Sequence, residues 1–465
     1  MFYLHTSNPE LLANNKNIPI VTYSPSTYAS PLVLSHVNRR WREITRRYPN
    51  LWASIHVIGP KSQSLPLIAE WLYRSGNRPL SIYYSQSKGW DSPPQHLSNM
   101  NRMLQLFAAH VRRWKSIDFN FRGGELAIGH PCQHNILFSN EMDFRDLRML
   151  ESVSINENRA WIPGPLIHLW STIAQNSPNL RSARGCIPIN SSTLSSFTCQ
   201  TSTSPFHVVV QILRDCPNLK ELNMRLCPPS SPDLNIPPVT HRKLKILKLH
   251  NPKREAGLME DVFSRVTLPR LSELDCNFDG GKSMVRALRH MLQRSDCRLS
   301  SLNTIPFEGV EDEIYKLFAC EQLQSLKSLI ISRAHSDHFL DWITIRPPQY
   351  QGDRTARMVL PSLKKIHMMG LTVSLNSLAR FASSRPRANI VIESPWHFDE
   401  HPKSSKWAPW IFEHRSLAFR NPCGCGVDNP QKAQPWHKVK EGKNKDCLET
   451  GCRASRCGYS SRSHY

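Results

Sequence analysis

One short motif recurs along this chain at close to even intervals, and it constrains the fold more than any other feature. Segments of the form apolar-x-x-apolar-x-apolar stand at Trp114/Ile117/Phe119, Leu219/Leu222/Met224, Leu244/Leu247/Leu249, Leu271/Leu274/Cys276, Leu326/Leu329/Ile331 and Leu363/Ile366/Met368. Weaker copies begin at Leu150, Leu180 and Leu299. From Leu219 the leading residues fall at 244, 271, 299 and 326, steps of 25, 27, 28 and 27 residues, while the steps before Leu219 are longer and uneven. The alternation in the second half of each motif fits a strand. Segments with apolar residues three or four apart precede many of the copies, among them LSNMNRMLQLFAAHVRRW, FHVVVQILRDCPNL and KSMVRALRHMLQRS, and these fit helices. A unit of helix, turn and strand cannot hide its apolar side alone, so such units must stack on one another. The expected class is therefore α/β, with a parallel sheet made of successive strands.

The motif is the strand signature of leucine-rich repeats, whose period is about 20 to 29 residues. The turns CPNLKEL, SPNLRSA, LPRLSEL and LPSLKKI also resemble those that lead into each strand of F-box proteins with leucine-rich repeats. An irregular leucine-rich-repeat solenoid is expected over residues 61–400. Residues between the leucines, Glu221, Asn223, Lys245, Lys248, Glu273, Asp275, Ser328 and Lys365, should face outward from the sheet and are the candidate contacts to a target protein.

A different pattern occupies the N-terminal part. In SPLVLSHVNRRWREITRRYPNLWASI, residues 30–55, Ser30 is a good helix N-cap and Pro31 suits the first helical position. Leu34, Val37, Trp41 and Ile44 then follow on one helical face, with the arginines mostly off it, and Tyr48-Pro49 closes the helix. Trp41 and Trp52 are expected to anchor a small helical core. The runs PLVL, Val37, RRWR and PNLW, followed by WLYRSGNRPLSI at 71–82, resemble the F-box-like domains of the large expanded families of mushroom-forming fungi. The resemblance covers residues 28–84 closely. It implies that Leu32, Leu34, Val37, Trp41, Leu51 and Trp52 bind the adaptor protein of a cullin-RING ubiquitin ligase, and that the repeats hold the protein to be ubiquitinated. Two departures stand beside it: no LPxEIL-type helix precedes Ser30, where NPELLANN (residues 8–15) is at most a remnant, and Asn38 replaces the common cysteine.

The expected organisation is an N-terminal remnant over 1–27, a partial F-box-like helical domain over 28–60, the solenoid over 61–400 and a tail over 401–465. That tail carries twelve Lys and Arg against five Asp and Glu and few aliphatic residues, so it is expected to be disordered. Its cysteines, Cys423, Cys425, Cys447, Cys452 and Cys457, lack the paired C-x2-C spacing of a zinc site. Nor is a metal expected at His335 and His338 with Asp337 and Asp341, where spacing fixes no further ligand. Gly281-Lys282-Ser283 is not a phosphate loop, because Cys276 stands where its first glycine belongs.

With no G-x-S-x-G, H-E-x-x-H or dinucleotide fingerprint, neither enzyme nor cofactor is expected. The net charge of +22 would attract polyanions, but basic residues are spread over the whole chain, so nucleic acid is not an expected partner. Neither a signal peptide nor a membrane span is visible, and the thirteen cysteines, mostly scattered, suit reduced thiols. An intracellular place, cytoplasm or nucleus, follows. The alternatives to a ligase receptor are a repeat module that binds protein without a ligase, and a basic nucleic-acid-binding protein.

Overall fold

The turn that introduces each strand explains how the strands come to lie side by side. In Cys216-Pro217-Asn218-Leu219 the Leu219 N–H donates to the Cys216 carbonyl at 3.0 Å. The same bond closes Ser177–Leu180 (3.1 Å), Leu268–Leu271 (3.1 Å) and Leu360–Leu363 (3.3 Å), each with proline second. Proline presets the backbone angle that a β-turn needs there. Past the turn, the residue after each leading leucine donates to the carbonyl of the corresponding residue one repeat back: Lys245 to Lys220 (2.8 Å), Lys327 to Ser300 (2.9 Å), Lys364 to Lys327 (2.8 Å) and Asn389 to Lys364 (2.7 Å). Each new strand is thereby set in register on the last.

The computed structural model describes residues 21–22, 31–59, 62–85, 94–121, 146–157, 172–185, 191–228, 236–251, 257–277, 281–304, 311–332, 337–344, 359–369, 375–393 and 417–420. The protein is an α/β chain dominated by parallel strands, and it divides into two units, Met1–Leu271 and Ser272–Tyr465.

In the first unit, β1 (Val21–Thr22) pairs antiparallel with β2 (Ser54–Ile58). Between them come α1 (Pro31–Val37) and α2 (Arg39–Arg47), and β2 is followed by α3 (Leu65–Arg74), β3 (Leu80–Ser85), α4 (Pro94–Ala108), β4 (Trp114–Phe121), β5 (Ser152–Glu157), β6 (Ser182–Arg184) and β7 (Ser196–Pro205). Next are α5 (Phe206–Asp215), β8 (Glu221–Cys227), β9 (Val239–Thr240), β10 (Ile246–His250), α6 (Leu258–Arg265) and β11 (Val266–Thr267). Strands β2 to β8 and then β10 are parallel neighbours in chain order, and β9 with β11 forms a separate short pair.

The second unit repeats the scheme with β12 (Glu273–Asn277), α7 (Lys282–Ser295), β13 (Ser301–Thr304), α8 (Glu311–Phe318), β14 (Ser328–Ser332), α9 (Asp337–Ile343), β15 (Lys365–Met369), α10 (Leu375–Ser384), β16 (Asn389–Glu393) and β17 (Leu417–Arg420). Its strands too are parallel neighbours in chain order. Strand β17 lies in the segment whose composition suggests disorder throughout. The remainder of that tail, its cysteines, and NPELLANN lie outside the described residues.

Each motif buries its apolar row as expected. Ile82, Leu222, Leu247, Leu302, Leu329 and Ile366 are all fully inaccessible, and each such side chain contributes about 1.5–3 kcal/mol. The helices cover this side of the strands: Phe107 of α4 stacks on Phe119 of β4 with centroids 6.5 Å apart, and the Trp71 indole of α3 donates to the Ser54 carbonyl. Gly76 ends the α3 segment at φ +53°, the left-handed conformation expected of it.

Where the sequence suggests one helix from Pro31 to Arg47, there are two. Asn38 adopts an extended conformation (φ −161°, ψ 179°) and its Oδ1 accepts from the Trp41 N–H at 2.9 Å, capping α2. A short polar side chain that bonds nearby backbone competes with continuous helix, and here it wins.

Two turns depart from the apolar rule at their first position. His241 Nδ1 accepts from the Lys243 and Leu244 N–H groups at 3.3 and 3.0 Å, leaving Nε2–H to donate to the Cys216 carbonyl at 3.0 Å. Arg385 donates to the carbonyls of Ile343 (3.0 Å), Val359 (2.8 Å) and Leu360 (2.8 Å). Leu360 itself is held at φ +50°, an uncommon conformation for a bulky side chain. Cys216 and Leu360 are the first positions of the preceding turns, so each polar head reaches back by one repeat.

Candidate functional site

Helices α1 and α2 leave apolar surface uncovered. Val33 and Val37 are 48% and 60% exposed and Tyr48 is 59% exposed, while Leu32, Leu34, Trp41, Ile44 and Leu51 are half-buried. Trp41 therefore does not anchor a core. The arginines of α2 stand in solvent as expected, Arg39 pairing with Glu43 at 3.4 Å. Trp52, expected at the adaptor-binding side, is instead completely buried: its indole donates to the Thr45 carbonyl at 2.7 Å, its ring meets Trp71 edge-on at 5.1 Å, and the Arg74 guanidinium lies 4.7 Å from its centroid. A side chain so enclosed cannot touch a partner. Trp52 fastens the helical segment to α3.

The outward face of the first unit is built from aligned rows. Ser54, Ser81, Ser116, Ser152, Ser182 and Ser196 are register partners across six successive strands. The next outward row runs His56, Tyr83, Asp118, Ser154, Arg184 and Thr198, and continues into Asn223 and Lys248. From β3 to β7 the outward side chains in these rows include no aliphatic residue, and only Asp118 and Arg184 are ionised. His56, 3.2 Å from Ser85 Oγ, is held neutral by burial, which lowers its pKa to about 4. Burial, then the Asp118 carboxylate, pushes the Tyr83 phenol up, against a hydrogen bond from Ser116. Asp118 Oδ1 and Asn223 Oδ1 are buried without a hydrogen-bond partner, and Asn223 is only 7% exposed.

Four of the expected target contacts lie in this unit. Glu221 accepts from Ser196 Oγ at 3.4 Å and pairs with Lys248 at 3.9 Å, Asn223 lies on the same strand as Glu221, and Lys245 is exposed just before β10. The other four lie in the second unit, where the character of the face changes. Glu273 and Asp275 stand on β12, the latter accepting from Asn303 Nδ2 at 2.9 Å, while Lys365 and His367 stand on β15. Between them Ser328 precedes a half-buried Ile330, and Val391 follows on β16. The second unit thus presents carboxylates, then an aliphatic residue, then cations.

The serine rows escaped the reading that followed leucines alone, yet their signal is written in the chain. Ser-apolar-x-apolar recurs as SIHV, SIYY, SIDF, SVSI and SFTC, with Ser182-Ala183 as a shortened copy.

The remaining candidates dissolve into the framework. Lys282 opens α7 after Gly281 as an ordinary helix start. His338 Nδ1 lies 2.7 Å from the Tyr315 hydroxyl and Asp341 pairs with Arg380 at 3.0 Å, while His335 lies outside the described residues. Among the described residues no group of three His, Cys, Asp or Glu could hold a metal, and no helix is long and apolar enough to cross a membrane. No protein-family model and no curated protein matches the chain.

Proposed function

We propose that the chain is an F-box-like substrate receptor, whose stacked units form a leucine-rich-repeat solenoid that recruits a protein to a cullin-RING ubiquitin ligase. The observation that carries the ligase half is the uncovered apolar side of α1 and α2, because apolar surface left open on a small helical element marks a docking face. Leu32, Leu34, Val37, Trp41 and Leu51 would meet the adaptor there, with Val33 added and Trp52 removed. Target binding would use the outward face of the second unit, where Ile330 lies between Glu273 and Asp275 on one side and Lys365 on the other. An apolar centre with a charged rim is the usual composition of a protein-binding patch. No bond chemistry would occur on the chain: it would hold the target's lysines near the charged ubiquitin-conjugating enzyme, and proximity alone would raise the rate.

Co-precipitation from cells that express their own adaptor tests the reading. The intact chain should bring the adaptor down, and Val33→Glu with Val37→Glu should abolish this without changing the melting temperature. Failure of the intact chain to associate would overturn the ligase half.

A further inference from the structure

We propose that the outward face of β2–β7 binds a neutral oligosaccharide, a role that does not rest on the ligase reading. The argument begins with size. Serine hydroxyls reach only a short way from the backbone, and they recur at the strand spacing of about 4.8 Å. A ligand touching several of them must lie flat against the sheet and run across the strands. One sugar ring of an extended chain is close in length to that spacing.

Charge narrows the ligand further. In a chain of net charge +22, this face carries hardly an ionised group, and His56 and Tyr83 are both kept uncharged by burial. Polyanions, which the rest of the chain should attract, find no complement here. Hydrogen-bonding capacity then fixes the polarity of the missing partner. Asp118 Oδ1 and Asn223 Oδ1, in the same outward row, are acceptors without donors. Because an unsatisfied buried polar atom is costly, the ligand that suits this face brings donors, as hydroxyls do.

A polypeptide is the other ligand rich in donors, and the face suits it less well. Protein interfaces draw their affinity from a few buried apolar or aromatic anchors, and the outward rows of β3–β7 offer no aliphatic pocket to receive one. Tyr83, half-buried with its hydroxyl bonded to Ser116, instead provides a ring edge and face against which the C–H side of a sugar can pack.

The test is an array of printed oligosaccharides probed with the full chain. It holds neutral glucans, mannans, galactans and chitin fragments, sialylated and sulfated glycans, heparin, and uncharged Ser/Thr/Asn/Gln peptides. Retention by one class of neutral oligosaccharide, unchanged as salt is raised, is the expected result. Tyr83→Ala, and separately Ser152→Val with Ser182→Val, should each weaken that binding by about tenfold or more, which corresponds to loss of one or two hydrogen bonds or a ring contact, with unchanged thermal melting. Asn223→Ala supplies an independent variant should either of those fail to fold. No retention of any neutral oligosaccharide would overturn the proposal. So would retention confined to sulfated, sialylated or heparin spots that fades with salt, preference for the peptides, or indifference of the bound sugar to all three variants.

Discussion

The two units bury the same kind of row and expose different ones. Leu222 and Met224 on β8 match Leu329 and Ile331 on β14 in position, burial and chemistry. Outside, β2–β7 show serine, tyrosine and asparagine, whereas β12–β16 show carboxylates, isoleucine and lysine. The inward positions are constrained because a strand without its apolar row has nothing to hold it to its helix. Since the period of a strand is two, the outward positions of the same residues escape that constraint, and chemistry can differ there without any change of fold.

The strongest way to break the comparison is to attack the row that the units share. Leu222→Ala and Leu329→Ala should each cost about 2–5 kcal/mol, measured by denaturant unfolding. A loss well below that at either position would mean that the two rows are not equivalent. Arg385→Ala comes next. It leaves buried carbonyls of the second unit without their donor, and should cost about 3 kcal/mol while the turn at Leu268–Leu271 in the first unit, whose head is apolar, has no such dependence.

Acid distinguishes the units differently. His56 has a folded-state pKa of about 4 against the ordinary 6.5. Above pH 6.5 neither state binds the proton. As pH falls towards 4 the unfolded chain takes it up and the folded chain does not, so stability drops across that window by up to about 3 kcal/mol. His56→Gln should flatten the acid limb of the stability profile by that amount. The smallest effect is expected on the outward rows themselves: Ser152→Lys and Lys365→Ser should each shift stability by less than about 0.5 kcal/mol in thermal melts. A larger change at either position would show that the outward row helps to hold the fold.

How much of this was legible in the sequence depends on which side of the strand a residue occupies. The leading leucines and the proline turns announce themselves because burial admits few residue types. The break at Asn38 is a local contest: the apolar spacing of Leu34, Val37, Trp41 and Ile44 argues for one helix, and a single side-chain bond to the Trp41 N–H decides against it. Trp52 looked like a docking residue because its neighbours are, but a large ring with one indole donor found Thr45 and Trp71 within its own chain. The serine rows required knowing the register, since Ser81 faces Ser116 only through the irregularity at Leu80/Ser81. His241 and Arg385 were hidden for the opposite reason, as polar residues at a position that pattern reading reserves for apolar ones.

Those two residues bear on how such an array can change over evolutionary time. Stacked repeats lengthen and shorten by duplication and deletion of whole units, and most junctions here would tolerate it, because one apolar turn head resembles another. At His241 and Arg385 the junction is keyed: the side chain belongs to one repeat and the carbonyls it satisfies belong to the one before. Removing or transposing either member of such a pair strands buried oxygens. The history of insertions and losses in this chain should therefore have spared two boundaries, the one joining Cys216 to His241 and the one joining Leu360 to Arg385.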